Sequence, residues 1–199
     1  TAALQDFWAR YSKKWKGQGA KPPPRGDKSS AFWTFVGSFL GMLLPSLLQH
    51  FAIDETEDSY NVVFLASFGA LATLLYAAPA SPFAQPRLVI GGHVISVVVA
   101  VGLDYLVSNP FTNYPSGFLP LWVARALIPA IAIAAMNYLG FTHPPAAACA
   151  TIYVIGGQRV KDLGWIWLFL PTMVGSGLMI LVALLVNNLS SSRKYPQFW

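Results

Sequence analysis

Thr142-His143-Pro144-Pro145-Ala146-Ala147-Ala148-Cys149-Ala150 lies between two long apolar runs, and its reading decides how the chain is built. Proline inside a helix removes a backbone donor and clashes with the preceding turn. At the first helical position it loses nothing, because that N–H has no intrahelical partner. The stretch therefore reads as a helix start at membrane depth or near the interface, with His143 at the N-cap edge. Irregular backbone at that depth is tolerated only where it is buried in protein or lines a wet cavity. Function has to be argued from this segment.

Working outward, the surroundings are those of a membrane protein. The 199 residues are 55% hydrophobic and 11% charged, with mean hydropathy +0.50, where an average soluble protein is about a quarter charged. Asp, Glu, Lys and Arg are absent from 31–53 and from 61–86. Runs of this kind match the roughly 20 residues that cross a bilayer core, so an all-α, multi-pass integral membrane protein is expected. The net charge of +5 gathers at the ends, with Lys13, Lys14, Lys16, Lys21, Arg25 and Lys28 in the N-terminal arm and Arg193 and Lys194 at the other end. That pattern fits positive-inside topology and anionic lipid better than nucleic acid. Membrane lipid is thus an expected partner and nucleic acid is not. Cys149, the single cysteine, cannot form an internal disulfide and reads as a packing residue.

Leu4, Phe7, Trp8, Tyr11 and Trp15 recur at helical spacing among lysines, which predicts an amphipathic helix lying in the interface. A stiff linker with Pro22-Pro23-Pro24 follows, so residues 1–30 stand apart from a transmembrane domain at 31–199. That domain reads as six segments, 31–53, 62–78, 88–107, 119–139, 143–155 and 165–189, with Ser29 or Ser30 capping the first. Gly37, Ser38 and Gly41 permit close helix packing, and Pro129 marks a kink in the fourth segment. Asp54, Glu55, Glu57 and Asp58 form a solvated loop opposite the basic arm, and 108–117 is a polar loop. The tryptophans Trp33, Trp122, Trp165, Trp167 and Trp199 read as interface belts. Six crossings place both basic ends on one side and leave Arg159 and Lys161 on the wrong one. A re-entrant 143–155 would repair that loop but carry Arg193 and Lys194 across, so six crossings are preferred.

The segments divide three and three, and the middle member of each half is short and interrupted by proline. Ala70-Leu71-Ala72-Thr73-Leu74-Leu75-Tyr76 echoes Ala148-Cys149-Ala150-Thr151-Ile152-Tyr153, against the alternative of chance likeness between alanine-rich helices. A true repeat would be inverted, as in transporters whose short broken helices mark a midplane substrate site. Their N-termini offer free N–H groups to an anion.

The chain resembles the HPP family of integral membrane proteins over about 31–199. The triplet His143-Pro144-Pro145 carries the family's name. Further blocks that match are Ser67-Phe68-Gly69-Ala70, Pro79-Ala80-Ser81-Pro82-Phe83-Ala84-Gln85-Pro86-Arg87, Gly91-Gly92-His93, Asn187-Asn188-Leu189 and Tyr195-Pro196-Gln197-Phe198-Trp199. Ala147 stands where the family often shows a glycine. Some members look like plastid nitrite transporters, so the resemblance implies a small anion such as nitrite as partner. Together with a first residue that is not Met, it implies a plastid membrane and a removed targeting segment.

The candidate substrate-binding residues are His143, Thr142, Ser67, Thr73, Thr151, His93, Arg87 and Arg125. His143 can bind substrate, relay a proton or cap its own helix. His93, beside Gly91 and Gly92, is a second polar member of the same cavity or a helix-packing histidine. Arg87 is an anion-attracting charge at a pore mouth or a membrane-edge anchor. Arg125 pairs with Asp104, receives an anion, or snorkels to the interface. The hydroxyls, with Gln85, can replace an anion's hydration or bond their own helices. His50 reads as interfacial. No metal-ligand spacing, nucleotide loop or paired carboxylate occurs within a segment, so neither an enzyme nor a cofactor is expected. The leading expectation is a transporter or channel for a small anion. The alternative is a non-catalytic subunit of a larger photosynthetic or respiratory membrane complex, with 1–30 as docking element and His50, His93 or His143 touching pigment or lipid. Small-residue faces allow homo-oligomers.

Overall fold

The computed structural model describes residues 2–15, 19, 21–22, 24–51, 64–108 and 117–199. The acidic cluster at 54–58 and most of the loop at 108–117 lie outside them. Helix α1 (Ala2–Lys14) turns Leu4, Phe7, Trp8 and Tyr11 to the outside. Helix α2 (Lys28–Gln49) starts where Asp27 accepts a hydrogen bond from the Ser30 N–H at 2.6 Å. The cap is therefore Asp27, two or three residues before the serines expected to fill that role. Its carboxylate both accepts the orphan N–H and faces the positive end of the helix dipole.

Helix α3 (Ser67–Ala72) continues in wider, π-type turns over Thr73–Ala77. A single 3₁₀ turn at Pro82–Ala84 leads into α4 (Pro86–Asp104). Two short parallel strands, β1 (Val107–Ser108) and β2 (Leu119–Pro120), take the end expected of the third segment and the start expected of the fourth, and delay α5 to Leu121–Leu139. Helix α5 runs on through Pro129. Helices α6 (Pro144–Ile155) and α7 (Gln158–Leu163) follow. An irregular approach at Leu168–Met173, with Leu170 out of the helical region before Pro171, enters α8 (Val174–Leu189).

Among the described residues, four helical stretches are long and apolar enough to cross a membrane: Lys28–Gln49, Pro86–Asp104, Leu121–Leu139 and Leu168–Leu189. Ser67–Ala77 and Pro144–Ile155 are apolar but shorter. The 12 residues of α6 rise about 18 Å, against a hydrocarbon core about 30 Å thick. Helix α4 is the hub, packed by α5, α6 and the 168–173 approach, while α2 lies along α8 and the 73–77 turns. The two short helices α3 and α6 pack against each other.

Close packing at α2 follows from its glycines. A Cβ on Gly37 would sit 2.6 Å from the buried Tyr76 ring, and one on Gly41 would overlap the Tyr76 hydroxyl. The face expected to pack closely is thus filled from within the chain. That hydroxyl donates to the Met179 carbonyl of α8 at 2.8 Å. The end of the 73–77 helix leaves carbonyls without intrahelical partners. Asn187 Nδ2 takes the Leu75 carbonyl at 3.0 Å. Arg193 Nη1 at 2.8 Å and Thr34 Oγ1 at 3.0 Å take that of Tyr76. Arg193 also donates to Ser30 and Thr34 of α2. It is a clamp at the start of α2 rather than a bare topology charge, and burial pushes its pKa down from the ordinary value.

At the opposite end, Lys161 Nζ lies 2.5 Å from Asp104 Oδ1, both side chains being buried, and 4.5 Å from the Tyr153 ring centroid. Asp104 therefore pairs with Lys161 and not with Arg125, whose side chain is exposed on α5. The misplaced cation of the loop is neutralised inside the protein. Burial pushes the Lys161 ammonium below its usual pKa, and the Asp104 carboxylate opposes that shift. Trp167 is buried, so it is a core residue and not part of an interface belt.

Candidate functional site: a buried histidine pair beneath a held turn

Four residues turn the chain from α5 into α6. Gly140 takes a left-handed conformation (φ 75°), its N–H reaching the Asn137 carbonyl at 3.2 Å while the Phe141 N–H reaches Met136 at 2.8 Å. This is a Schellman end, which needs glycine to avoid a Cβ penalty. His143 is then extended (φ −143°, ψ 104°), as the residue before proline must be, and Pro144 opens α6. Gln85-Pro86 opens α4 in the same way.

The expected side-chain cap does not form. His143 is the N-cap residue by its backbone, but its ring leaves the helix and Nδ1 donates to the Phe83 carbonyl at 2.8 Å. On α4, His93 Nδ1 donates to the Val89 carbonyl one turn back at 2.8 Å. The two rings lie 5.1 Å apart, centroid to centroid, inclined at 55°, and both residues are fully buried. A carbonyl only accepts, so each ring carries a proton on Nδ1, and in its neutral form holds a lone pair on Nε2. Neither Nε2 has a hydrogen-bond partner among the described residues.

Gly92 makes this approach possible. A Cβ there would sit 2.6 Å from His143 Cβ and 2.9 Å from the Phe141 carbonyl oxygen. Gly91 leaves room for the Phe141 ring, over which Arg87 places its guanidinium at 5.2 Å. One turn beyond His93, Ser96 Oγ donates to the Ala146 carbonyl and ties α4 to α6. His93 lies seven residues beyond Pro86, about 10 Å along α4, so α6 begins recessed in the bundle and the 79–86 turn covers it.

That turn is held from both sides. Gln85 Nε2 donates to the carbonyls of Pro79 and Ser81 at 3.0 and 2.7 Å. The chain after α8 straps the outside: Tyr195 donates its hydroxyl to the Ala84 carbonyl at 2.8 Å, and the Gln197 N–H donates to Gln85 Oε1 at 2.7 Å. Asn188 fixes the strap through Tyr195. Gln85 is thus a structural brace rather than a hydration substitute.

Of the residues expected at the site, the structure brings together His143 and His93, with half-buried Thr142 and exposed Arg87 on the adjoining turn. Ser67 is buried on α3 with its hydroxyl unpartnered among the described residues. Thr73 and Thr151 bond the carbonyls of Gly69 and Ala147 in their own helices, each at 3.0 Å. A threonine that bonds back in this way has spent its donor. Arg125 lies exposed on α5 and His50 exposed at the end of α2. Sequence reasoning missed the Phe83 carbonyl, Tyr195, Gln197 and Arg193 as supports. Their signal was the matching blocks 79–87 and 195–199, which carry no chemistry until they touch.

The family model for the HPP transmembrane region matches residues 23–196. Two transmembrane proteins of Dictyostelium discoideum are 38% and 37% identical over 197 residues, covering 99% and 98% of this chain. The chain spans 60% and 65% of the lengths of these relatives. No solved structure matches. With a family model covering most of its length, and with that family's triplet forming the recessed start of α6, the chain belongs to the HPP transmembrane family.

Proposed function

We propose that the chain forms a transport path for a small anion, with the His93–His143 pair as its central binding point. The observation that carries this reading is the pair of buried Nε2 atoms that have no hydrogen-bond partner among the described residues. A buried polar atom left unpaired costs about 1–3 kcal/mol. Two of them in one place make a site that a small polar ligand would satisfy. His143 stands at the start of the short helix α6, which packs against the other short helix, α3, and short broken helices hold the substrates of inverted-repeat transporters. In the finer form of this reading the two short helices complete six crossings as an inverted repeat. Arg87 attracts the anion beside the Phe141–His143 turn, and nitrite in a plastid membrane is the substrate and setting implied by the family resemblance. The exposed aromatic side of α1 then seats on the membrane surface.

Uptake into proteoliposomes tests the reading. Purified protein should move nitrite, nitrate or formate faster than empty vesicles. Rates no higher than those of empty vesicles for all three anions would refute it.

A further inference from the structure

Neutral, the histidine pair offers a ligand only lone pairs. Each Nδ1–H is spent on a carbonyl, that of Phe83 or that of Val89. An anion also brings lone pairs, so it gains no hydrogen bond from the pair in that state. Nor, among the described residues, do the surrounding elements supply a buried cation that is free of a partner. Helix α4 contributes Arg87, which is exposed over Phe141, and α5 contributes Met136 with Arg125 exposed. Helix α6 contributes Cys149 and Tyr153, further along the helix. The turn brings neutral Gln85, the strap brings Tyr195 bonded to Ala84, and the 168–173 approach and α8 bring the hydroxyls of Thr172 and Ser176. Asp104 and Lys161 satisfy each other eleven residues, or about 16 Å, along α4.

A bare anion or a bare proton in this buried place would stand as an uncompensated charge, which is strongly unfavourable. Together they are neutral. A proton placed on one Nε2 supplies the missing donor, and the anion accepts from it. The same single proton can instead sit on the ligand, whose hydroxyl then donates to an Nε2 lone pair, so one proton serves either arrangement. Resting on the transport reading above, we propose that the His93–His143 pair takes a small oxyanion only together with a proton, so that the unit moved is the equivalent of the neutral acid. The balance is one anion and one proton in, held by N–H···O, and one of each out, with no covalent bond of the ligand broken.

Two measurements test this. Nitrite binding to the detergent-purified protein is followed by calorimetry near neutral pH in phosphate and in Tris, whose ionisation enthalpies differ. The expected result is uptake of one proton per nitrite bound. In proteoliposomes, nitrite uptake above that of empty vesicles should rise with outside acidification and ignore a potassium potential set with valinomycin. His93→Asn and His143→Asn keep an amide donor at the Nδ1 position and remove Nε2. They should melt close to wild type yet lose both proton uptake and acid-driven flux. Nitrite that binds without proton uptake, or moves in response to the potential, overturns the proposal while leaving anion transport standing. Absence of binding and flux for nitrite, nitrate and formate overturns both. Should the variants fail to fold, the two-buffer result on the unaltered protein decides the matter alone.

Discussion

Gly92→Ala is the sharpest test of the packing around the histidine pair. The added methyl would meet His143 Cβ at 2.6 Å and the Phe141 carbonyl oxygen at 2.9 Å. Neither atom is the free end of a side chain, so neither can swing away. Ordinary contact begins at 3.4 Å, so α4 and the 140–143 turn must part by about 0.8 Å in a packed core. Overpacking of this sort costs about 1–3 kcal/mol, and backbone contacts put it near the upper end. Removing a helical glycine returns about 1 kcal/mol. The net loss is about 2 kcal/mol, or about 4–8 °C in melting temperature for a chain of this size. Gly102→Ala on the same helix is the control. Nothing lies within 4 Å of its added methyl, so it should raise the melting temperature by about 2–4 °C. Both proteins are measured in one detergent by thermal unfolding. If Gly92→Ala melts at or above Gly102→Ala, the proposed approach of α4 to His143 is wrong.

Asp104→Asn, which strands the buried Lys161 ammonium, should cost about 3–5 kcal/mol in the same assay. The pair Asp104→Leu with Lys161→Met should recover most of that loss, because no buried charge remains. Tyr195 gives an alkaline signature. Burial raises the pKa of its phenol above the ordinary value, so its share of stability is intact below about pH 10 and is lost as pH rises further through the folded value. Wild type should lose more melting temperature between about pH 8 and pH 11 than Tyr195→Phe does, and equal losses would contradict the buried strap. Thr73→Val and Thr151→Val should leave anion flux within about twofold of wild type, since both hydroxyls are bound to their own helices. A large loss in either would return that threonine to the path.

Apolar runs and charge gaps made the long helices legible, and the proline pair made the start of α6 legible. Both signals are local, set by residues within one turn of the element they specify. The edges moved where a better local partner intervened, as when Asp27 supplanted the serines at the head of α2. What could not be read was which distant group each polar residue would find. Asp104 had several cations available in the sequence, and only the packing of α7 under α4 selects Lys161 over Arg125. Gly37 and Gly41 announced a close neighbour without identifying Tyr76. His143 could be placed at a helix start, but its hydrogen bond depends on the 79–86 turn, 60 residues earlier, being folded above it. The pairing of His93 with His143 was foreshadowed by Gly91-Gly92, whose missing side chains let a backbone come near.

The strap also sets an order of events during synthesis. Arg193, Tyr195 and Gln197 reach back across 117, 111 and 112 residues to Tyr76, Ala84 and Gln85. Contacts that distant close only after the intervening helices exist, and long loops close slowly. While a nascent chain emerges, α4 and α6 can meet and bury the histidines before anything braces the turn over them. The cover is completed only by residues that follow every helix they brace, so a chain released before Tyr195 is added would carry its turn unfastened.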